Sequence, residues 1–317
     1  MEQEVQVRTD VEELSIIFDK LSTYYTITGD NGRATAFSRA SRLMDSYEYE
    51  SITGEEAIRL KFVAGKISAI IDEYNSTGKV QRLIDFETQR GDIKSYYDFY
   101  TKYYGIGRSK AIELYNKGIS TEEDMISRGN LTPLQRLGVL WYDHYSKPVR
   151  REEINLIKDH TIKDLRRFSD HYLQGAEIRI EFAGSYRRGS PYSGDIDVLI
   201  MKQPGITMNG IVEYLSDIIK VNLKQGEVIF HGIIQLAPYF YGHRIDIMLV
   251  DPDEWYTSLL HFTGSKRFNI LMSQRAIEQG GQLSRKNISF HGEYIPVSSE
   301  EEIFDLLGIK YIPPRER

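Results

Sequence analysis

The chain has no cysteine. Disulfides, thiolate nucleophiles and cysteine-bound zinc are therefore excluded, and the absence fits a reducing compartment without requiring one. No stretch approaches the ~18 uninterrupted apolar residues of a membrane-spanning helix. The polar, acidic residues 1–10 have neither the apolar run of a secretory signal nor the arginine-rich character of a transit peptide. There is no basic excess either. Lys and Arg number 40 against 46 Asp and Glu, a net charge of −6, which by itself argues against a phosphate-bearing partner. No repeat and no low-complexity tract occurs. At 317 residues, 41% hydrophobic and 27% charged, the chain is neither disordered nor collagen-like and has room for two or three packed units.

Charge is unevenly distributed. Residues 101–118 carry Lys102, Arg108, Lys110 and Lys117 against Glu113 alone, and residues 33–42 carry Arg33, Arg39 and Arg42 with no acid. From charge alone a solvated helix face is the simpler reading. Residues 11–21, 34–46, 54–60, 66–76 and 110–117 place apolar residues at i, i+3, i+4 and read as helices. Gly29-Asp30-Asn31-Gly32, Ser76-Thr77-Gly78 and Gly118 punctuate them. From about residue 175 the texture changes. Residues 177–182, 196–201, 227–234 and 244–250 are short, β-branched and partly alternating, as strands are. A helix is expected at 206–221 between the second and third, and helix returns at 254–261 and 266–279. The pattern predicts a helical domain followed by an α+β domain, divided near Lys147-Pro148.

Three constellations carry chemistry. Gly105-Ile106-Gly107 lies between two helices; its glycines permit close backbone approach, and the next helix's N-terminal amides suit a phosphate oxygen. An ordinary turn explains it equally well. Phe62-Val63-Ala64-Gly65-Lys66 is a weaker echo of the same arrangement. The second is the block from Gly184 to Asp197, GSYRRGSPYSGDID. A strand runs into a Gly-Ser turn, a basic loop follows, and Asp195-Ile196-Asp197 opens the next strand. Asp195 and Asp197 share one face, and two adjacent carboxylates repel unless a cation joins them. Hard oxygen donors of this kind suit Mg²⁺, while Ser185, Ser193, glycine amides and Arg188 suit phosphate. The third is Arg244-Ile245-Asp246, a second charged pair on one strand face. It reads equally as a structural ion pair or as a third metal carboxylate. Phe262-Thr263-Gly264-Ser265 interrupts the helical pattern; a core Phe before a helix start is the simpler reading. The seven histidines show no ligand or triad spacing.

Together, G-S-Y-R-R-G-x5-D-I-D at 184–197, R-I-D at 244–246, F-T-G-S at 262–265 and G-I-G at 105–107 resemble the family X DNA polymerases, the group of DNA polymerases beta, lambda and mu and terminal transferase. The run LGIKYIPPRER at 307–317 is most similar to the lambda, mu and terminal transferase branch. The resemblance implies a multidomain α+β fold. All-helical helix-hairpin-helix domains would be followed by a nucleotidyltransferase palm with a mixed sheet and a small C-terminal α+β subdomain. The implied domains are a lyase-like 1–85, a DNA-binding 86–148, a palm 149–250 and a nascent-base-pair subdomain 251–317. At this length neither a BRCT module nor a phosphoesterase domain is expected.

The resemblance also implies roles. Asp195 and Asp197 would bridge two Mg²⁺ ions, with Mn²⁺ as substitute. Asp246 would bind the catalytic one, with Arg244 beside it. Gly184, Ser185, Arg188, Ser193 and Gly194 would hold the triphosphate, Phe262 and Gly264 the sugar, and Asn269 the base. Carbonyls of Thr101, Tyr103 and Ile106 would hold a monovalent cation, Na⁺ or K⁺. Gly105, Gly107, Arg108, Lys110 and Lys66 would meet DNA. The first hairpin departs from G-x-G, being Val63-Ala64-Gly65. His261 stands where beta and lambda have Tyr, and Ser273 where beta-type members place an Arg. Ile70 stands where the lyase lysine belongs. The implied partners are gapped or nicked DNA and deoxynucleoside triphosphates, with no membrane and a monomeric chain. The expected activity is gap-filling synthesis in repair, by base excision or end joining, with lyase activity absent or weak. The competing readings are a template-independent terminal transferase, a non-catalytic DNA-end binder, and a tRNA or poly(A) nucleotidyltransferase, the last having no need of two helix-hairpin-helix turns.

Overall fold

The computed structural model describes residues 10–45, 47, 51–60 and 63–317. The polar stretch 1–9, Ser46 at the end of the second expected helix and Phe62 before the first hairpin turn lie outside the described residues. The chain divides into two compact units, one ending at Val139 and the other beginning at Leu140.

The first unit is helical. α1 (Asp10–Ile27) and α2 (Asn31–Asp45) face each other through Leu14, Phe18, Leu21 and Tyr25 on one side and Ala34, Phe37 and Met44 on the other. These positions recur every three to four residues, so each helix buries one stripe. Tyr25 stacks on Phe37 with ring centroids 5.4 Å apart. α3 (Gly54–Ala57) is started by a Thr53–Glu56 capping box, and α4 (Gly65–Thr77) buries Ile67 and Ile71 against the same core. α5 (Gln81–Thr101) was not legible in the periodicity: Gly91 interrupts it and its apolar residues do not form one stripe. α6 (Arg108–Asn116), α7 (Glu122–Arg128) and α8 (Pro133–Leu140) follow.

The second unit begins with α9 (Tyr142–Tyr145), the two-residue strand β1 (Val149–Arg150) and α10 (Arg151–Tyr172). β2 (Ile180–Phe182), α11 (Gly184–Arg187), β3 (Tyr192–Ser193) and β4 (Ile196–Met201) follow. The helix expected at 206–221 is a correction. α12 stops at Tyr214 (Met208–Tyr214), and β5 (Ile219–Gln225) takes up the rest. Val221 and Leu223 are buried while Lys220, Asn222 and Lys224 are exposed, the period of a strand rather than a helix. β6 (Ile229–Ile234) and β7 (His243–Val250) complete a five-stranded mixed sheet in the order β2-β4-β7-β6-β5, with only β4 and β7 parallel. One face of the sheet sends Ile196, Val198, Ile200, Ile245 and Ile247 into a core with α10 and α12. The other meets α13 (Trp255–Thr263) through Leu199, Val250, Trp255 and Leu259. α13 runs through Phe262 and Thr263, so the helix ends two residues beyond the expected 261 and the break comes at Gly264. α14 (Lys266–Glu278), the antiparallel strands β8 (Gly281–Leu283), β9 (Ile288–Phe290) and β10 (Glu293–Ile295), and α15 (Glu300–Leu306) enclose a smaller core around Phe268, Ile303 and Phe304. Among the described residues no helix is long and apolar enough to cross a membrane.

Candidate active site

The parallel pair β4–β7 sets the site. Asp197 and Asp246 are register partners across it, and Asp246 is in turn the partner of His231 on β6. Register partners share a face, so Asp197, Asp246 and His231 form one row on the side of the sheet that meets α13. Asp195 lies one residue before β4. Its Oδ2 accepts from Arg244 Nη2 at 2.8 Å, and the same Nη2 is 3.9 Å from Asp246 Oδ2. Arg244 therefore stands between two of the three carboxyls. His231 Nδ1 lies 2.7 Å from Asp246 Oδ1.

This cluster is short of positive charge. Burial, then the neighbouring Asp195 and Asp246, push Asp197 up to about 7. Asp195 is also raised, by burial first and Asp246 in addition, with Arg244 pulling the other way. Three hard oxygen donors that repel one another fit divalent cations, which would relieve that repulsion.

The strand-to-helix turn explains itself through contact. Gly184 has φ +56°, and a Cβ there would lie 2.2 Å from Asp197 Oδ2; only glycine lets the turn pass so close to the carboxyl. Ser185 Oγ donates to the buried Ser193 Oγ at 2.7 Å, closing the loop, and Gly194 is exposed beside it. Arg188 is half-buried and donates to the Thr263 carbonyl at 2.5 Å. Burial lowers its pKa, partly offset by Asp197. Gly264, at φ +66°, would with a Cβ come 3.2 Å from that guanidinium. Phe262 packs partly on the Trp255–Leu259 cluster, and Asn269 Nδ2 donates to the His261 carbonyl at 2.7 Å. Residues from 184–197, 244–246 and 262–269 are thus brought together in one unit.

Two residues have contacts that the motifs did not assign. Arg187 donates to Thr263 Oγ1 at 2.7 Å and to Glu300 at 2.6 Å, tying α11 to α13 and α15. His231 has no local signal at all, because only the β6–β7 register carries it to Asp246. Three histidines to which the sequence assigns no role pair with acids in the fold. His231 meets Asp246, His243 meets Glu153 at 2.9 Å, and His160 meets Asp164 at 2.9 Å and Asp217 at 2.8 Å. At the last, Arg167 also pairs with Asp164 at 3.1 Å.

In the helical unit, Gly105 takes φ +81° and is exposed with Gly107, while Ile106 between them is buried. Gly107 is the N-cap of α6 and Ala64 that of α4, neither with a side-chain cap. Tyr103 is buried, and its carbonyl accepts from the Ile106 amide at 3.1 Å. Thr101 closes α5, its hydroxyl turned back to the Tyr97 carbonyl at 2.9 Å. Arg108 donates to Asn31. Lys110 is held by Glu113 at 3.0 Å and by the Asn130 carbonyl at 2.8 Å, and Lys117 also reaches Glu113, at 2.6 Å. Part of the basic run is therefore already neutralised. Lys66 is exposed in the first turn of α4, and Ile70, one turn on, is half-buried against the helical core.

Residues 149–252 match the DNA polymerase beta palm family and residues 258–317 the DNA polymerase beta thumb family. DNA polymerase lambda of Rattus norvegicus is 26% identical over 321 residues, covering 94% of this chain and 54% of its own length. DNA polymerase lambda of Arabidopsis thaliana is 24% identical over 329 residues, covering 95% and 61%. The DNA nucleotidylexotransferase of Xenopus laevis is 23% identical over 350 residues, covering 95% and 67%. The chain thus spans between half and two thirds of the length of these relatives. The palm and thumb matches together take in just over half of its own length. They frame the carboxyls of β4 and β7 and the turn that crosses Asp197, and the chain belongs to the family X DNA polymerases.

Proposed function

We propose that the chain adds deoxynucleotides to a primer 3′-hydroxyl at short gaps or nicks in duplex DNA, as a monomer, in repair by base excision or end joining. The observation that carries this reading is the in-register pair Asp197–Asp246 with Asp195 beside it, under a turn whose Gly184 leaves no space for a side chain. Asp195, Asp197 and Asp246 would hold divalent ions, Mg²⁺ or Mn²⁺, which when bound activate the attacking 3′-oxygen and offset charge on the pyrophosphate leaving group. Arg244 positions Asp195 and damps the repulsion among the carboxyls. Ser185, Ser193, the backbone around Gly184 and Gly194, and Arg188 supply donors for the triphosphate. Phe262 and Gly264 would line the sugar and Asn269 the base. In the helical unit, the amides after Gly105 and Gly107, with Arg108 and Lys110, suit a primer-strand phosphate. Lys66 suits a phosphate at the other hairpin. Carbonyls of Thr101, Tyr103 and Ile106 suit Na⁺ or K⁺. The four-part division at residues 85, 148 and 250 belongs to the same proposal.

A terminal transferase is the second reading, given the nucleotidylexotransferase relative. The connection between Ile234 and His243 is short, which supports templated synthesis, since so small a loop cannot easily occupy a template's place. Primer extension on a one-nucleotide gapped duplex, compared with a single-stranded primer, decides between them. Strong template-directed addition at the gap is expected, and equal or greater addition to the single strand would reverse the choice. Lyase activity is expected to be absent or weak, because Ile70 cannot form an imine and Lys66 is a poor substitute one turn away. Borohydride should trap little or no covalent complex with incised abasic DNA; efficient capture, lost in Lys66→Ala, would overturn this.

A further inference from the structure

Resting on that reading of the three aspartates, we propose that His231 is a positioning residue for Asp246. Its Nδ1–H, donated to Asp246 Oδ1, would fix the carboxyl so that Oδ2 stays turned toward Asp195 and a bound divalent ion. The geometry is built into the sheet. His231 and Asp246 are register partners, their side-chain atoms are 2.7 Å apart, and both are about a quarter exposed, at 26% and 28%. The row across four strands reads Asp197, Asp246, His231, Lys224. His231 is thus the first donor on the far side of the carboxyls, while Arg244 holds the near side.

The two partners of Asp246 do different work. Arg244 Nη2 lies 3.9 Å from Oδ2 but 2.8 Å from Asp195 Oδ2, so its close contact is with the other aspartate. It restrains Asp246 only loosely. Without His231, the Asp246 carboxyl would be free to turn about its Cβ–Cγ bond, and both oxygens would compete for one ion. A hydrogen bond from an imidazole to one oxygen removes that freedom, and partners of this kind outside the ligand set set metal affinity. The backbone is not free to compensate, because residue 231 is flanked by Phe230, fully buried in the sheet core, and Gly232.

The test compares His231→Asn, whose side-chain N–H falls near the position of Nδ1, with His231→Gln, whose N–H falls near that of Nε2, and His231→Leu, which has none. Mn²⁺ is titrated into the metal-free full chain and its free signal followed by electron paramagnetic resonance. The Gln and Leu variants should bind Mn²⁺ about tenfold more weakly than wild type, and Asn should recover to within about threefold. In gap extension, the Mg²⁺ concentration giving half-maximal rate should rise about tenfold in Gln and Leu, with nucleotide KM at saturating Mg²⁺ unchanged. Thermal melting identifies any variant that does not fold, and the Asn–Gln pair decides the matter if Leu is lost. Equal Mn²⁺ binding by wild type, Gln and Leu would overturn the proposal, as would Asn falling as far as Gln. If wild type extends no primer, the polymerase reading fails while the Mn²⁺ titration still reports on His231.

Discussion

The two units handle charge in opposite ways. In the α+β unit, Asp195, Asp197 and Asp246 converge with Arg244 and Arg188 as nearby cations, and two of the three are held above the usual carboxylate range. In the helical unit, Glu113 sits between Lys110 and Lys117, whose hydrogen bonds hold it below that range. A raised carboxyl marks anionic charge that the fold concentrates without neutralising, and hence a place for a cation. A lowered one marks charge already spent on internal pairing. The net charge of −6 conceals both. Local imbalance, not the sum, distinguishes a metal-binding surface from a phosphate-binding one.

The largest effect is expected at the α+β carboxyls. Asp197→Asn and Asp246→Asn should each lower nucleotide addition by about a thousandfold or more, because catalysis of phosphoryl transfer is mostly electrostatic. Circular dichroism should show the fold retained. Single-turnover extension near the wild-type rate in either variant would remove the metal assignment.

How much of this was legible follows the range of the interactions. Gly184, Asp195 and Asp197 lie within one strand–turn–strand segment, and the alternation of a strand places the two aspartates on one face without knowledge of the rest. The boundaries of β4 coincide with the expected 196–201. Asp246 was readable as a charge in an apolar strand, but that it faces Asp197 depends on parallel pairing between distant segments. His231 was invisible for the same reason: a register carries no local mark. β5 is masked in the sequence because Ile218, Ile219 and Val221 extend the apolar spacing of α12. The exposed Lys220, Asn222 and Lys224, alternating with the buried Val221 and Leu223, mark the strand. The run 101–118 was legible as basic, yet Lys110 is tied to a carbonyl 20 residues on, which no count of charges discloses.

A smaller effect is expected on stability. Metal-free folded chain keeps a proton on Asp197 up to about 7, whereas an ordinary aspartate gives it up near 3.8. Between those values the folded state binds more protons than the unfolded one, so stability falls as pH rises through the window and levels off above it. Asp197→Asn removes the titration. From pH 5 to pH 8 the melting temperature of wild type should therefore drop by roughly 3–6 °C relative to the variant, corresponding to roughly 1–2 kcal/mol after discounting for water access. Added Mg²⁺ at pH 8 should recover wild type and not the variant. Parallel melting profiles would show that the cluster is less crowded with charge than its geometry indicates.

The smallest expected effect lies in the helical unit and runs in the opposite direction. Glu113 occupies two lysines that could otherwise face phosphate. Replacing it by Gln keeps the size and removes the charge. Lys110 stays held by the Asn130 carbonyl and is only 12% exposed, so little of it is released. Lys117 is 43% exposed and loses a charged partner. One additional cation then becomes available to the DNA backbone. Each phosphate neutralised adds about 0.9 to the slope of log affinity against log salt. Glu113→Gln should thus bind gapped duplex roughly two- to threefold more tightly at low salt, with a slope steeper by up to about 1, and the gain should fade as screening rises. Fluorescence anisotropy between 50 and 200 mM salt measures both. Tighter binding with an unchanged slope would mean that a contact other than phosphate had formed. Weaker binding would mean that Glu113 orders the α6 surface more than it competes for it, and the helical unit would then resemble the carboxylate site in using its acids to build rather than to mask.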